Sequence, residues 1–287
     1  MTYANPDALV STEWLADHLN APDVRVVDAS WCMPGSGRDP KAEYAEQHIP
    51  GAVFFDIDEI ADTDTDLPHM LPSPEKFSSR VRKLGLGDGI RIVVYDSNGG
   101  FMAAQRVWWT FRAFGHEDIA VLDGGLPKWL AEGRPVEDLP PLPRERHFTA
   151  RMNTFLVRSR DQVLANIDSA KEQVVDARSA DRFTGTGKEP RPGLRLGHIP
   201  SSLNVPFQQV LDTGHFNVMR PADEIAKAFT DAGVDLARPM VASCGSGVTA
   251  SSLAFALYLI GHRDVAVYDG SWMEWGADEK LPMETGS

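Results

Sequence analysis

Cysteine is scarce in this chain: two thiols, Cys32 and Cys244, among 287 residues. That excludes a disulfide-stapled scaffold, and a single pair so far apart is expected to stay reduced, with Cys32 a half-buried structural thiol. No apolar run approaches the roughly 18 residues that a membrane span needs. Positive charge is also in short supply, with 28 Lys and Arg against 41 Asp and Glu and a formal net charge of −13. Nucleic acid and anionic membrane are poor partners for such a surface. The N-terminal stretch lacks a basic start and carries Asp7, Glu13 and Asp17. It reads neither as a secretion signal nor as a transit peptide, and a cytoplasmic location is expected.

What is present begins with repetition. Val26-Val27-Asp28-Ala29 recurs as Val174-Val175-Asp176-Ala177, and His48-Ile49-Pro50-Gly51 as His198-Ile199-Pro200-Ser201. The run from Gly115-His116 to Asp123-Gly124-Gly125 recurs from Gly261-His262 to Asp269-Gly270-Ser271. The spacings are 148, 150 and 146 residues, so the register is held over whole domains. Within each copy, short β-branched runs alternate with amphipathic stretches. Strands are expected over 24–28, 52–56, 91–96 and 119–122, then 173–176, 203–205, 239–243 and 265–268. Helices are expected over 11–19, 73–85, 102–114, 160–167, 221–232 and 249–260, with short ones at 43–47 and 127–131. This alternation implies an α/β fold in two copies, each a mainly parallel sheet flanked by helices on both faces. The predicted boundaries are 1–138 for the first domain, 139–154 for a proline-containing linker and 155–287 for the second. Pro135, Pro140, Pro141 and Pro143 make the connection semi-rigid, which suits a fixed cleft between domains.

The chemistry concentrates in Val241-Ala-Ser-Cys-Gly-Ser-Gly-Val-Thr249, which reads as a strand, a tight turn and a helix start. Glycines at 245 and 247 let the backbone curl with its N–H groups inward, a nest for an anion. The following helix would aim the positive end of its dipole at the same point, which suits a sulfur nucleophile at Cys244. The motif alone is equally that of a small residue buried at a strand end. In the first copy the matching turn places Asp96 opposite Cys244. A carboxylate cannot perform thiolate chemistry, so the first domain is expected to be silent.

Arg178, Arg182, Lys188, Arg191 and Arg195 form a basic island in an acidic chain. It follows the 173–176 strand and so leaves the same sheet edge as the Cys244 turn, where open α/β sheets bind ligands. It reads as a guanidinium clamp for a small carboxylate, or as a solvated surface loop. His48 and His198 each precede Ile-Pro and can serve simply as turn caps. His48, oriented by Asp39 and reaching Ser246 across the cleft, would form a serine-protease-like relay. The Trp108-Trp109 stripe and the pair Trp272 and Trp275 read as core and interdomain packing.

These residues together resemble the rhodanese superfamily of two-domain sulfurtransferases. The loop Cys244-Gly245-Ser246-Gly247-Val248-Thr249 is similar to that of the 3-mercaptopyruvate sulfurtransferase branch. The likeness extends through His48 to Asp56, Arg106-Val107-Trp108-Trp109, Asp181-Arg182-Phe183, Glu189-Pro190-Arg191 and Tyr268 to Trp272. It implies tandem rhodanese-like domains, an inactive first and a catalytic second, with the site between them. It further implies Cys244 as the persulfide-forming nucleophile, with Ser246, His48 and Asp39 as its helpers. Arg182 and Arg191 would bind the substrate carboxylate, and residues Gly245, Gly247, Val248 and Thr249 would hold the substrate through the loop. No metal or organic cofactor is implied, and the sulfur acceptor would be thioredoxin, a small thiol or cyanide. Thiosulfate as donor is the competing expectation, and a non-enzymatic persulfide carrier a more distant one. A cysteine phosphatase is disfavoured because Ala250 stands where such a loop needs an arginine to hold phosphate.

Overall fold

The computed structural model describes residues 2–33, 35–97 and 103–286. The first sheet comprises β1 (Leu9–Val10), β2 (Val24–Asp28), β3 (Val53–Phe54), β4 (Arg91–Tyr95) and β5 (Ile119–Leu122) in the order β1-β5-β4-β2-β3. The second comprises β6 (Val157–Arg158), β7 (Gln173–Asp176), β8 (Leu203–Asn204), β11 (Met240–Ser243) and β12 (Ala266–Tyr268) in the order β6-β12-β11-β7-β8. β9 (Leu211–Asp212) and β10 (Val218–Met219) form a separate antiparallel hairpin. All pairings within the two sheets are parallel. The central strands are apolar almost without alternation because helices cover both faces.

The expected helix at 73–85 forms as Pro74–Lys83. Ser73 accepts from Lys76 N, proline takes the first position and Glu75 lies in the first turn. Helix Arg160–Ser169 opens with a full capping box from Ser159 and Gln162. The long first-domain helix is described from Ala103 to Ala113, and the expected start at Met102 lies outside the described residues. Several short elements depart from expectation. β1, β6 and the β9–β10 hairpin have strands of two residues, too short to carry a periodic signal. The basic island is not loop throughout but contains the helix Ala180–Thr184.

The repeat runs further than the sequence motifs reveal. In the first copy, the backbone of Glu137 pairs with His48, its carboxylate accepts from Gly51 N, and Trp129 donates to Pro135 O. In the second copy, Glu284 pairs with His198, accepts from Ser201 N, and Trp275 donates to Pro282 O. Each domain is therefore closed by a strap from its own C-terminal side. Beyond Glu137 the connection stays anchored: Asp88 N donates to His147 O, Arg151 N to Phe114 O, and Phe148 packs in the first-domain core beside Phe77.

The domains share one continuous core. Helix Ala103–Ala113 packs on helix Val248–Leu259, with Trp108 edge-on to Phe255 and Tyr258 at 4.8 and 5.1 Å. The Arg112 guanidinium lies over both Trp108 and Tyr258. Trp272 and Trp275 lie within the second-domain core rather than between domains. Two arms are exchanged across the interface. The first-domain arm brings Leu71 N to Asp269 Oδ2 (2.7 Å), and the β9–β10 hairpin brings Met219 N to Asp123 Oδ1 (2.9 Å).

Candidate active site

β11 and β7 are neighbours in register, Ser243 opposite Asp176. The Cys244 turn and the basic island therefore leave adjacent strand ends, where the parallel topology opens a crevice. Cys244 is 1% exposed and lies at the floor of a pocket walled by the loop, by Arg182, Glu189 and Arg191, and by Trp31 and Met33 of the first domain.

The loop is shaped by pulling its carbonyls outward. Cys244 O accepts from Trp272 N (3.0 Å) and Gly245 O from Met273 N (2.8 Å). Gly247 O accepts from Ser251 Oγ (3.0 Å) and from Arg106 Nη1 (3.3 Å). Cys244 N is held by Ser271 Oγ (3.1 Å). The amides of residues 245–249 are taken by no acceptor among the described residues, and they follow Cys244 into a helix N-terminus, the arrangement that suits an anion. Gly247 has φ +77°, and a Cβ there would meet Arg106 Nη1 at 2.7 Å and Asp269 O at 2.8 Å. Only glycine fits both the conformation and the space.

The two arginines differ. Arg178, Asp176, Glu189 and Arg182 form a buried alternating chain: Arg178 bonds Asp176 at 2.7 Å and Glu189 at 2.8 Å, and Arg182 bonds Glu189 at 2.6 Å. Its two cations and two anions cancel. Arg182 nevertheless borders the loop, since a Cβ on Gly245 would lie 3.1 Å from its Nη2. Arg191 is half-buried on the pocket wall and has no hydrogen bond or ion pair among the described residues. Burial and the neighbouring Arg182 pull its pKa below the usual arginine value, against the opposing pull of Asp58 and Cys244.

His48 and Asp39 are not brought to Cys244. His48 is fully buried in the first domain, stacked on Tyr44 at 4.2 Å, with Nδ1 2.7 Å from Tyr44 O and Nε2 3.7 Å from Glu137. His198 repeats that arrangement on Phe183 and Glu284, so both histidines brace their straps. Asp39 caps helix Pro40–Glu46, accepting from Lys41 N and Ala42 N. A close His–Asp pair, expected at His48 and Asp39, is formed instead by His69 and Asp58. His69 Nδ1 lies 2.7 Å from Asp58 Oδ1, and Asp58 Oδ2 accepts from Trp31 Nε1 at 2.9 Å. The His69 ring stands edge-on to Trp31, which walls the pocket, and its buried Nε2 has no partner among the described residues. Burial alone would raise the Asp58 carboxyl, but the hydrogen bond and charge of His69, the Trp31 indole and Arg191 together hold it below the usual carboxylate range. The signal in the sequence was asymmetry between copies. Leu71 and Met219 do the same job in the two arms, and two residues earlier stand His69 in one and Asn217 in the other.

In the first domain the place of Cys244 is taken by Asp96. Its buried carboxylate accepts from Ala103 N and Ala104 N, so the helix N-terminus is capped from within. Residues 98–102 of that turn lie outside the described residues.

A family model for the rhodanese-like domain matches twice, over residues 11–132 and 159–278. Human 3-mercaptopyruvate sulfurtransferase is 43% identical over 273 residues, covering 93% of this chain and 91% of that protein. Rat thiosulfate sulfurtransferase is 46% identical over 284 residues, covering 97% and 94%. Among solved structures, SseA from Escherichia coli, described as a 3-mercaptopyruvate sulfotransferase, aligns with a TM-score of 0.84 at 38% identity, covering 92% of this chain and 98% of that one. The duplicated parallel sheets, the cysteine at the end of β11 and the two domain matches lead to one assignment: the chain belongs to the rhodanese family, as a tandem of two rhodanese-like domains.

Proposed function

We propose that this sulfurtransferase takes 3-mercaptopyruvate as its sulfur donor, with Cys244 as the residue that carries the sulfur. The Cys244 sulfur anion attacks the donor's thiol sulfur, an S–S bond forms, and the C–S electron pair leaves on carbon as pyruvate enolate. The S–H proton ends on that carbon, giving pyruvate and a Cys244 persulfide anion. The free loop amides stabilise the sulfur anion before and after transfer. Ser246 lines the pocket and the His69–Asp58 pair lies against Trp31, which walls it; on this reading, proton handling falls to these groups. A second thiol, from thioredoxin or a small molecule, or cyanide, then removes the outer sulfur. A cytoplasmic setting accords with such thiol acceptors.

Arg191 is the observation that carries the choice of donor. Identity does not discriminate, because relatives of both donor types match at 43% and 46%. The Asp176–Arg178–Glu189–Arg182 chain is internally neutral, which leaves Arg191 as the unmatched cation of the pocket wall. One cation set apart from a neutral Gly245-Ser246 loop suits a donor with a single carboxylate remote from its sulfur. Thiosulfate carries two charges adjacent to the transferred atom. The test is kcat/KM for both donors with the same acceptor. A preference of at least about tenfold for 3-mercaptopyruvate, about 1.4 kcal/mol, is expected. A preference for thiosulfate would overturn the donor assignment, and activity in Cys244→Ser would overturn the nucleophile.

A further inference from the structure

Arg106 belongs to the first domain, yet its side chain ends inside the second domain's active loop. It is 3% exposed. One guanidinium nitrogen donates to Gly247 O at 3.3 Å; the other donates to His69 O and pairs with Asp269 Oδ1 at 2.7 Å. The guanidinium lies over the Trp109 ring, 4.5 Å from its centroid. Asp269 completes the knot by accepting from Leu71 N with its other oxygen. The cysteine loop, the arm bearing His69 and the Asp269 turn are thus fixed to one planar group. A guanidinium can serve several acceptors at fixed angles, whereas a lysine ammonium concentrates its donors on one nitrogen.

The other copy lacks this device. His116 N donates to Phe111 O and His262 N to Leu257 O, which aligns the two helix ends and places Ser252 opposite Arg106. Among the described residues Ser252 Oγ is buried without a partner, and Asp123, the counterpart of Asp269, receives no arginine. The arginine is therefore present where a cysteine loop must meet an arm from the other domain.

We propose that Arg106 is a positioning residue that sets His69 against the Cys244 loop, so that the proton needed by the carbon leaving group is delivered in register. The proposal rests on the 3-mercaptopyruvate reading, because only that donor requires such a proton. Pyruvate enolate must be protonated on carbon, whereas thiosulfate transfers its outer sulfur to Cys244 and releases sulfite with the bond's electron pair and no proton.

The experiment is single-turnover persulfide formation in the intact protein, followed by pyruvate release from 3-mercaptopyruvate and sulfite release from thiosulfate. Arg106→Met and Arg106→Lys are compared with wild type. Loss of register is expected to slow the 3-mercaptopyruvate step by roughly 10²-fold, and the thiosulfate step by less than about fivefold, since it forgoes the general-acid contribution altogether. Arg106→Lys keeps a charge beside Asp269 but cannot span the three acceptors, so it is expected to fold and to show the same donor-selective loss if the methionine variant does not fold. Equal losses with both donors would reduce Arg106 to a structural bolt and overturn the proposal, as would unchanged rates. Failure of the wild-type protein to release pyruvate would overturn the donor reading itself, and the role of Arg106 with it.

Discussion

Arg182 and Arg191 carry the same charge in different electrostatic company. Arg182 bonds Glu189, a carboxylate with only 3% of its side chain exposed, whereas Arg191 has no such partner among the described residues. Their truncations should therefore fail differently. Arg191→Ala is expected to cost about 1.5–3 kcal/mol in kcat/KM for a carboxylate donor, the worth of a charge-assisted hydrogen bond. Its urea midpoint should stay within experimental error of wild type. Arg182→Ala should lose activity and also stability, because it leaves a buried carboxylate short of a partner. Parallel kinetics and urea denaturation check this, and a matching loss of stability in Arg191→Ala would contradict the assignment of an unpaired cation.

At the scale of elements, the active loop is a strand end and a helix start held apart by outward-turned carbonyls. Gly247 stands at its tightest point. Gly247→Ala places a Cβ against Arg106 and Asp269 in a left-handed backbone conformation. It is expected to destabilise the fold by about 1–3 kcal/mol and to slow alkylation of Cys244 by iodoacetamide; wild-type alkylation and wild-type thermal unfolding would together refute this account of the loop. The first domain offers the converse case. Asp96 already occupies its own helix N-terminus, so Asp96→Cys should lose the cap, cost about 1 kcal/mol, and yield no second equivalent of persulfide, as measured by mass spectrometry after donor treatment.

At the scale of the whole molecule, the two copies are locked by exchanged arms, and the lock is unequal. Asp269 meets its arm with Arg106 beside it, but Asp123 meets the β9–β10 hairpin with no arginine among the described residues, and burial pushes its carboxyl up to about 6. Asp28 is likewise raised to about 6, chiefly by burial, where its counterpart Asp176 has Arg178. Both acids bind protons more tightly folded than unfolded. Their contribution is fully present below the unfolded carboxylate range near pH 4 and is lost as pH rises through about 6, when the fold must hold buried charge. Asp123→Asn keeps an oxygen for Met219 N. It is expected to flatten the fall in stability between pH 4 and 6 and to add up to about 2 kcal/mol at pH 7.5. Urea unfolding of the variant and wild type at pH 5 and 7.5 decides this; no gain at pH 7.5 would remove the interdomain carboxylate as the cause.

The sequence by itself determined the duplication and the α/β alternation, because repeated motifs and hydrophobic period survive in the bare chain, and its resemblance to a family pointed to Cys244 and to Arg182 and Arg191. Val24–Asp28 and Gln173–Asp176 form the buried strands that their apolar runs predict, and Gly247 takes the positive φ that the turn after Cys244 needs. Local pattern also misled where a repeated motif resembled function: His48 looked catalytic by itself, yet its twin His198 shows that the pair braces the straps. Only the tertiary structure brought Asp58, His69 and Arg106 to a loop nearly 140 residues or more away, because that meeting depends on how one domain docks on the other. Contacts across an interface leave no period in the chain, and a lone histidine on an arm acquires its role from the surface it is laid against.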